Sequence, residues 1–184
     1  MKRFKLLVLF VICTPLMITH TQVVQCASAT PPAEIIEATT VAPISQLNEF
    51  LDHIGFVESS NNYNCINSIG YLGKYQFGKS TLRNLGFNVS VGDFLSDSVL
   101  QEQAMLKLLT HNKIKLQPFI DEWDGDTIQG IRITESGILA AAHIAGQGNV
   151  RNFFRKQANP QDTYGTSLTD YMDTFGGYDL QLNQ

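Results

Sequence analysis

The sequence predicts a mainly α-helical domain, and three observations carry that expectation. Apolar residues recur at three- and four-residue spacing behind good capping residues. Glycines stand where those runs stop. No alternation of apolar strand and amphipathic helix marks βαβ units, and no internal repeat is present. At 184 residues the chain has the length of one ordinary domain.

The first 29 residues read as a leader rather than as part of that domain. Lys2, Arg3 and Lys5 form a basic start, Leu6 to Ile18 is apolar except for Thr14, and Ala27-Ser28-Ala29 is a small-x-small cleavage site. An apolar core of about a dozen residues is too short to span a bilayer. The expectation is a secretory signal peptide cleaved after Ala29, with the mature protein periplasmic or secreted. Gln25, directly before Cys26, does not suit a lipid-attachment site. Residues 30–44, with Thr30-Pro31-Pro32, Ala38-Thr39-Thr40 and Ala42-Pro43, read as a flexible tether.

The domain is expected over 45–184. Ser45 is a good N-cap, and Leu47, Phe50, Leu51, Ile54 and Val57 follow at helical spacing. That helix should stop near Glu58, because Ser59-Ser60-Asn61-Asn62 favours turns. From Asn61 to Gly78, glycine and asparagine interleave with aromatics, which predicts a long shaped loop or a small hairpin. A short helix follows over Ser80–Leu85, stopped by Gly86. A longer one starts near Ser96 and runs through Val99, Leu100, Ala104, Met105, Leu108 and Leu109. Trp123–Gly130 is turn-rich. Thr134 caps a helix over Glu135–Ala145, ended by Gly146; two more cover Val150–Gln157 and Leu168–Phe175, the last closed by Gly176-Gly177.

Charge and cysteine content narrow the function. Three of the 13 Lys and Arg lie in the leader and none of the 17 acids do, leaving ten bases against 17 acids and a mature charge of −7. An acidic exported chain is a poor partner for nucleic acid. Cys13 and Cys26 leave with the leader, so Cys65 stands alone and no disulfide framework or thiolate metal cluster is expected. His53, His111 and His143 show no metal-ligand spacing.

Three short segments carry the chemistry: Glu58-Ser59, Gly73-Lys74-Tyr75-Gln76, and Ala142-His143-Ile144-Ala145-Gly146-Gln147-Gly148-Asn149-Val150. In this order they resemble three motifs of the soluble lytic transglycosylase and goose-type lysozyme superfamily, Glu-Ser, Gly-Leu-Met-Gln and Ala-Tyr-Asn-Ala-Gly-x-x-x-Val. The resemblance spans roughly Leu47 to Tyr178. It implies a lysozyme-like fold, without a cofactor, that cleaves the β-1,4 bond between N-acetylmuramic acid and N-acetylglucosamine in peptidoglycan glycan strands. Two positions depart from the pattern. His143-Ile144 replaces Tyr-Asn, which removes or moves the contact expected from that asparagine. Lys74-Tyr75 replaces Leu-Met, which predicts a more polar cleft wall.

The residues support Glu58 on their own terms. Glycoside cleavage needs an acid still protonated near neutral pH. A carboxylate in the last helical turn faces the negative end of the helix dipole, which raises its pKa, and partial burial against Phe56 or Val57 would raise it further. Glu135 follows Thr134 in a first turn, where the dipole lowers a carboxyl pKa, and reads as structural. No Asp or Glu stands between Glu58 and Asp93. That gap favours assistance by the substrate's own acetamido oxygen and a 1,6-anhydro product. Asp93 or Asp97 folding into the cleft would favour hydrolysis instead.

Gln76 offers an amide and a carbonyl to an N-acetyl group, against the alternative of a loop glutamine bonding its own backbone. Among Tyr63, Tyr71, Tyr75 and Phe77, the expectation is that Tyr63 and Tyr75 are exposed to stack on sugars. Ser59 and His143 occupy motif positions, and Tyr178 resembles the family's late tyrosine that points at the acid, with Tyr171 competing for that role. Gly73 to Ser80 also fits the phosphate-loop pattern letter for letter. Bulky aromatics at its centre, and Asn67-Ser68-Ile69-Gly70 where a buried strand should precede it, argue against nucleotide binding. The expected function is a peptidoglycan lytic transglycosylase with Glu58 as acid and then base. The alternatives are a muramidase hydrolysing the same bond and a non-catalytic glycan-binding protein. No residue pattern identifies an inhibitor protein or a secretion-machine partner.

Overall fold

A computed structural model describes residues 45–182 except 157, 163 and 164; the expected leader and tether lie outside the described residues. The described chain is mainly helical and belongs to one small domain. α1 spans Gln46–Ser59, with the Ser45 side chain accepting from Asn48 N–H and Ser60 closing it in the left-handed region at φ 56°. α2 covers Lys79–Asn84. α3, Val91–Ser96, is a helix the periodicity did not predict: six residues are too few to display a 3.6 repeat, although Ser90 caps it on Asp93 N–H. Asp97 then caps α4, Ser98–Trp123, by accepting from Leu100 N–H.

α4 is the spine of the domain, and longer than the sequence suggested. Its buried face reads Gln101, Ala104, Met105, Leu108, Leu109, Asn112, Leu116 and Ile120, a stripe at three- and four-residue spacing. Pro118 lies inside it. The carbonyl that Pro118 cannot serve belongs to Ile114, which is exposed, so water can satisfy it.

A two-stranded hairpin follows, β1 (Thr127–Ile128) and β2 (Ile131–Arg132), turned through Gln129 and Gly130, both at positive φ. α5 (Glu135–Ile144) is capped by Thr134. α6 covers Gln147–Lys156, and α7 covers Leu168–Thr174, the latter with a full capping box between Ser167 and Asp170. α5 is the central helix: it packs on α4, α6 and α7, and seven of its ten residues, Ser136 to Ala142, are buried. At its crossing with α7, Gly137 lies so close that an added Cβ would sit 2.4 Å from the Met172 carbonyl oxygen.

α1 is held by rings and by the loop that follows it. Phe50 packs edge-on to Tyr178, and the His53 ring packs at a tilt against Phe175. The Asn61–Gly78 loop carries isolated antiparallel bridges, Ile66 to Leu72 and Leu72 to Phe77. Among the described residues no helix is long and apolar enough to cross a membrane.

Candidate functional site

Glu58 ends the buried stripe of α1. Phe50 and Ile54, eight and four residues before it on the same face, are fully buried. Its carboxyl is therefore carried down to the edge of the core. Glu58 takes part in no hydrogen bond or ion pair among the described residues, and desolvation pushes its pKa from 4.5 to about 7. Phe56 and Val57, the neighbours expected to bury it, are themselves 63% and 52% exposed. The expected rise is present, and burial is the cause that carries it.

Ser59 couples this helix end to the loop. Its hydroxyl donates to the Lys74 carbonyl at 2.8 Å and accepts from Asn62 N–H at 3.0 Å. Its polar capacity is directed at backbone, so it positions the Gly73–Gln76 loop against the last turn of α1. Gly73 sits at φ 68°, and an added Cβ would meet the Gln101 amide oxygen at 2.0 Å. Only glycine fits there. Gln101, fully buried, accepts from Lys74 N–H and donates to the Tyr63 and Phe94 carbonyls, fixing three segments at once.

The expectation of a polar cleft wall at Lys74-Tyr75 is overturned. Lys74 is 3% exposed and Tyr75 is 0% exposed. Lys74 Nζ pairs with Asp52 at 2.8 Å and Glu102 at 3.0 Å. The hydroxyls of Tyr63 and Tyr75 each donate to a Glu102 oxygen at 2.6 Å. Burial opposes the Lys74 charge, but hydrogen bonds to Asp52 and Glu102 outweigh it and raise its pKa. Burial first, then Glu102, pushes the Tyr75 hydroxyl far above its ordinary range. This network is a buried anchor beneath the loop. Tyr75 and Tyr63 spend their polar ends there; the Tyr75 ring is fully buried and the Tyr63 ring is half-buried. Tyr71, 41% exposed, is the aromatic turned outward.

Gln76 stands at φ 50°, a left-handed backbone unusual for a glutamine. Its Nε2 donates to the Gly73 carbonyl at 2.8 Å and to Cys65 Sγ at 3.2 Å. Its amide nitrogen bonds the loop's own backbone, while its carbonyl oxygen accepts nothing among the described residues. Gln76 and Tyr71 line a depression of about 220 Å³ together with Phe77, Asn112, His143 and Gln147. Burial holds His143 neutral, its pKa lowered to about 4, while a hydrogen bond to the Tyr75 backbone opposes that shift. A bond that favours the protonated ring is one in which the imidazole donates, so its second nitrogen is an acceptor.

A second depression of about 150 Å³ is lined by Ile144, Ala145, Asn149, Asp162, Thr166 and Tyr171. Tyr171 is the tyrosine whose hydroxyl senses the Glu58 charge. Burial first, then its 2.5 Å hydrogen bond to Asp162 and, more weakly, the Glu58 charge together raise its pKa to about 12. The Tyr178 hydroxyl instead lies 3.0 Å from His53 Nδ1.

The carboxylates proposed from sequence as partners for Glu58 have other work. Asp93 accepts from Ser90 in the first turn of α3, and Asp97 caps α4. Asp162 is the acid that sequence reasoning missed; a lone Asp in a Pro- and Gly-containing stretch carries no signal of its own. The phosphate-loop pattern also dissolves in three dimensions: Lys74, Tyr75 and Phe77 fill the core where phosphate-binding amides would need open backbone. Among the described residues no group of three or more His, Cys, Asp or Glu is placed to hold a metal ion. No family model, no curated protein and no solved structure matches the chain.

Proposed function

We propose that the protein is a peptidoglycan lytic transglycosylase in which Glu58 protonates the departing glycosidic oxygen and then, as carboxylate, takes the proton of the attacking hydroxyl. The observation that carries this reading is the Glu58 carboxyl itself: half-buried, unpaired among the described residues, and poised at about pH 7. A general acid works best when its pKa lies near the operating pH. Perturbed carboxyls of this kind concentrate at functional sites. The order of the three sequence motifs names the substrate class, and the depression beside Gln76 gives an N-acetylated sugar a place to lie.

Hydrolysis is the second reading, and one observation favours it. Asp162 is bonded to Tyr171, the hydroxyl that senses Glu58. A carboxylate so placed would suit holding a water, as a muramidase requires. A protein that binds glycan without cleaving it is the third, resting on Ile144 where the resembling family has asparagine.

Digestion of purified peptidoglycan separates them. Anhydro ends support transglycosylation, reducing ends support hydrolysis, and no new ends support binding alone. Glu58→Gln should keep the fold and lose at least about a hundredfold in cleavage rate, the size of a general-acid contribution. Cleavage at the wild-type rate by that variant would remove Glu58 from the chemistry.

A further inference from the structure

Asn112 is 1% exposed on α4, and its Nδ2 is a buried donor with no hydrogen-bond partner. A buried amide donor left unpaired is costly, and native structures rarely leave one without a reason. The residue lines the 220 Å³ depression that Gln76, Tyr71 and His143 also line. Its orientation follows from chemistry. Arg151 can only donate, and its Nη2 lies 3.1 Å from Gln147 Oε1. That turns Gln147 Nε2 toward Asn112 Oδ1, at 2.7 Å. The Asn112 amide nitrogen is then left over, at the end of a one-way chain that starts on a guanidinium. Each bond in such a chain polarises the next and sharpens the terminal donor.

The same depression holds the opposite polarity. Gln76 must aim Nε2 at the Gly73 carbonyl, which can only accept, so its Oε1 is the free acceptor. The His143 ring donates to the Tyr75 backbone, which leaves a second acceptor. One buried donor set among acceptors is the complement of a secondary amide, with one C=O and one N–H.

We propose that Asn112 is a specificity-determining residue that reads the carbonyl oxygen of a 2-acetamido group, with Gln147 and Arg151 as positioning residues behind it. This rests on the glycan-cleaving reading for its choice of ligand and deepens it, by naming the substituent the depression selects.

The test uses the full chain carrying Glu58→Gln and two probes, tri-N-acetylchitotriose and its de-N-acetylated counterpart chitotriose, with binding followed by calorimetry. The acetylated trimer should bind at least about tenfold more tightly, the worth of one good buried hydrogen bond. Adding Asn112→Asp keeps the bond from Gln147 but replaces the donor with an acceptor, and should abolish that preference. Arg151→Met, which touches nothing in the depression, should weaken the preference about two- to threefold through the loss of polarisation. Equal binding of the two trimers, or an undiminished preference in Asn112→Asp, overturns the proposal. If Asn112→Asp does not fold, the two trimers on Glu58→Gln and the Arg151→Met series still decide it. An Asn112-dependent preference in a protein that releases no wall fragments would sink the proposed reaction and leave this inference standing.

Discussion

At the scale of single residues, Glu58 makes a thermodynamic prediction that is independent of any substrate. Its pKa is raised from 4.5 in a solvated chain to about 7 in the fold. The folded state therefore holds the proton more tightly than the unfolded state. The stability gained is full below the unfolded value and is lost as pH rises through the window from 4.5 to about 7. Glu58→Gln carries no titration there. Its thermal stability should match the wild type near pH 4 and exceed it at pH 8, by up to about 3 kcal/mol. A difference that is the same at both pH values would mean that the carboxyl is not desolvated. Glu58 was legible in the sequence because its burial is local: it continues the Phe50–Ile54 stripe of its own helix. Tyr75 was not. An aromatic in a glycine-rich loop reads as exposed, and only its bond to Glu102, 27 residues away, shows where the ring goes. Tyr63, half-buried, also spends its hydroxyl on Glu102, while Tyr71 shows the exposure expected of both.

At the scale of elements, helix ends were the readable part. Ser45 and Thr134 bond the first turns they were expected to cap, and Gly86, Gly146 and Gly177 all lie at positive φ where helices stop. α4 held two legible clues that periodicity alone passes over. Gln101 and Asn112 fall on its apolar stripe, and a polar residue at a core position must be hydrogen-bonded or serve a ligand. Gln101 turns out to be the first kind. Asn112 is read here as the second. The contact of α4 with the loop hangs on Glu102, which accepts from Lys74, Tyr63 and Tyr75 together. Glu102→Ala leaves a buried ammonium with Asp52 as its one remaining ion partner and two phenols without acceptors. The expected cost is about 2 kcal/mol or more by chemical denaturation. A loss below a few tenths would mean that the network relaxes into solvent. At the α5–α7 crossing, Gly137→Ala drives a methyl into the Met172 carbonyl, which backbone cannot yield. Overpacking of this kind should destabilise by about 1–3 kcal/mol. An unchanged melting temperature would show that the two helices can part.

At the scale of the whole molecule, the residues proposed for the site come from segments far apart in sequence. Glu58 comes from α1, Gln76 from the loop, His143 from the end of α5, and Asp162 and Tyr171 from the approach to α7 and from α7 itself. That distribution explains why the choice between transglycosylation and hydrolysis was open in the sequence: no second acid is near Glu58 along the chain, yet folding brings one within a hydrogen bond of Tyr171. Asp162 is nevertheless committed. One oxygen accepts from Thr166 N–H at 2.9 Å and the other from the Tyr171 hydroxyl. Both oxygens are thus oriented by the protein, and the effect of Asp162 on Tyr171 is to keep that hydroxyl protonated. Under the proposed reaction, the nearest nucleophile is then the muramic acid's own 6-hydroxyl, whose intramolecular attack gains a large effective molarity. Asp162→Asn should accordingly slow wall cleavage by less than about tenfold, well short of the hundredfold expected for the acid. Its muropeptides should remain lighter by one water than hydrolysis products, as read by mass spectrometry. The pH dependence adds an independent sign. Cleavage should fall as pH rises past about 7, where Glu58 loses its proton, and Asp162→Asn should leave that limb in place. Reducing-end muramic acid from the wild type, lost together with activity in Asp162→Asn, would instead make Asp162 the second carboxyl and the enzyme a muramidase.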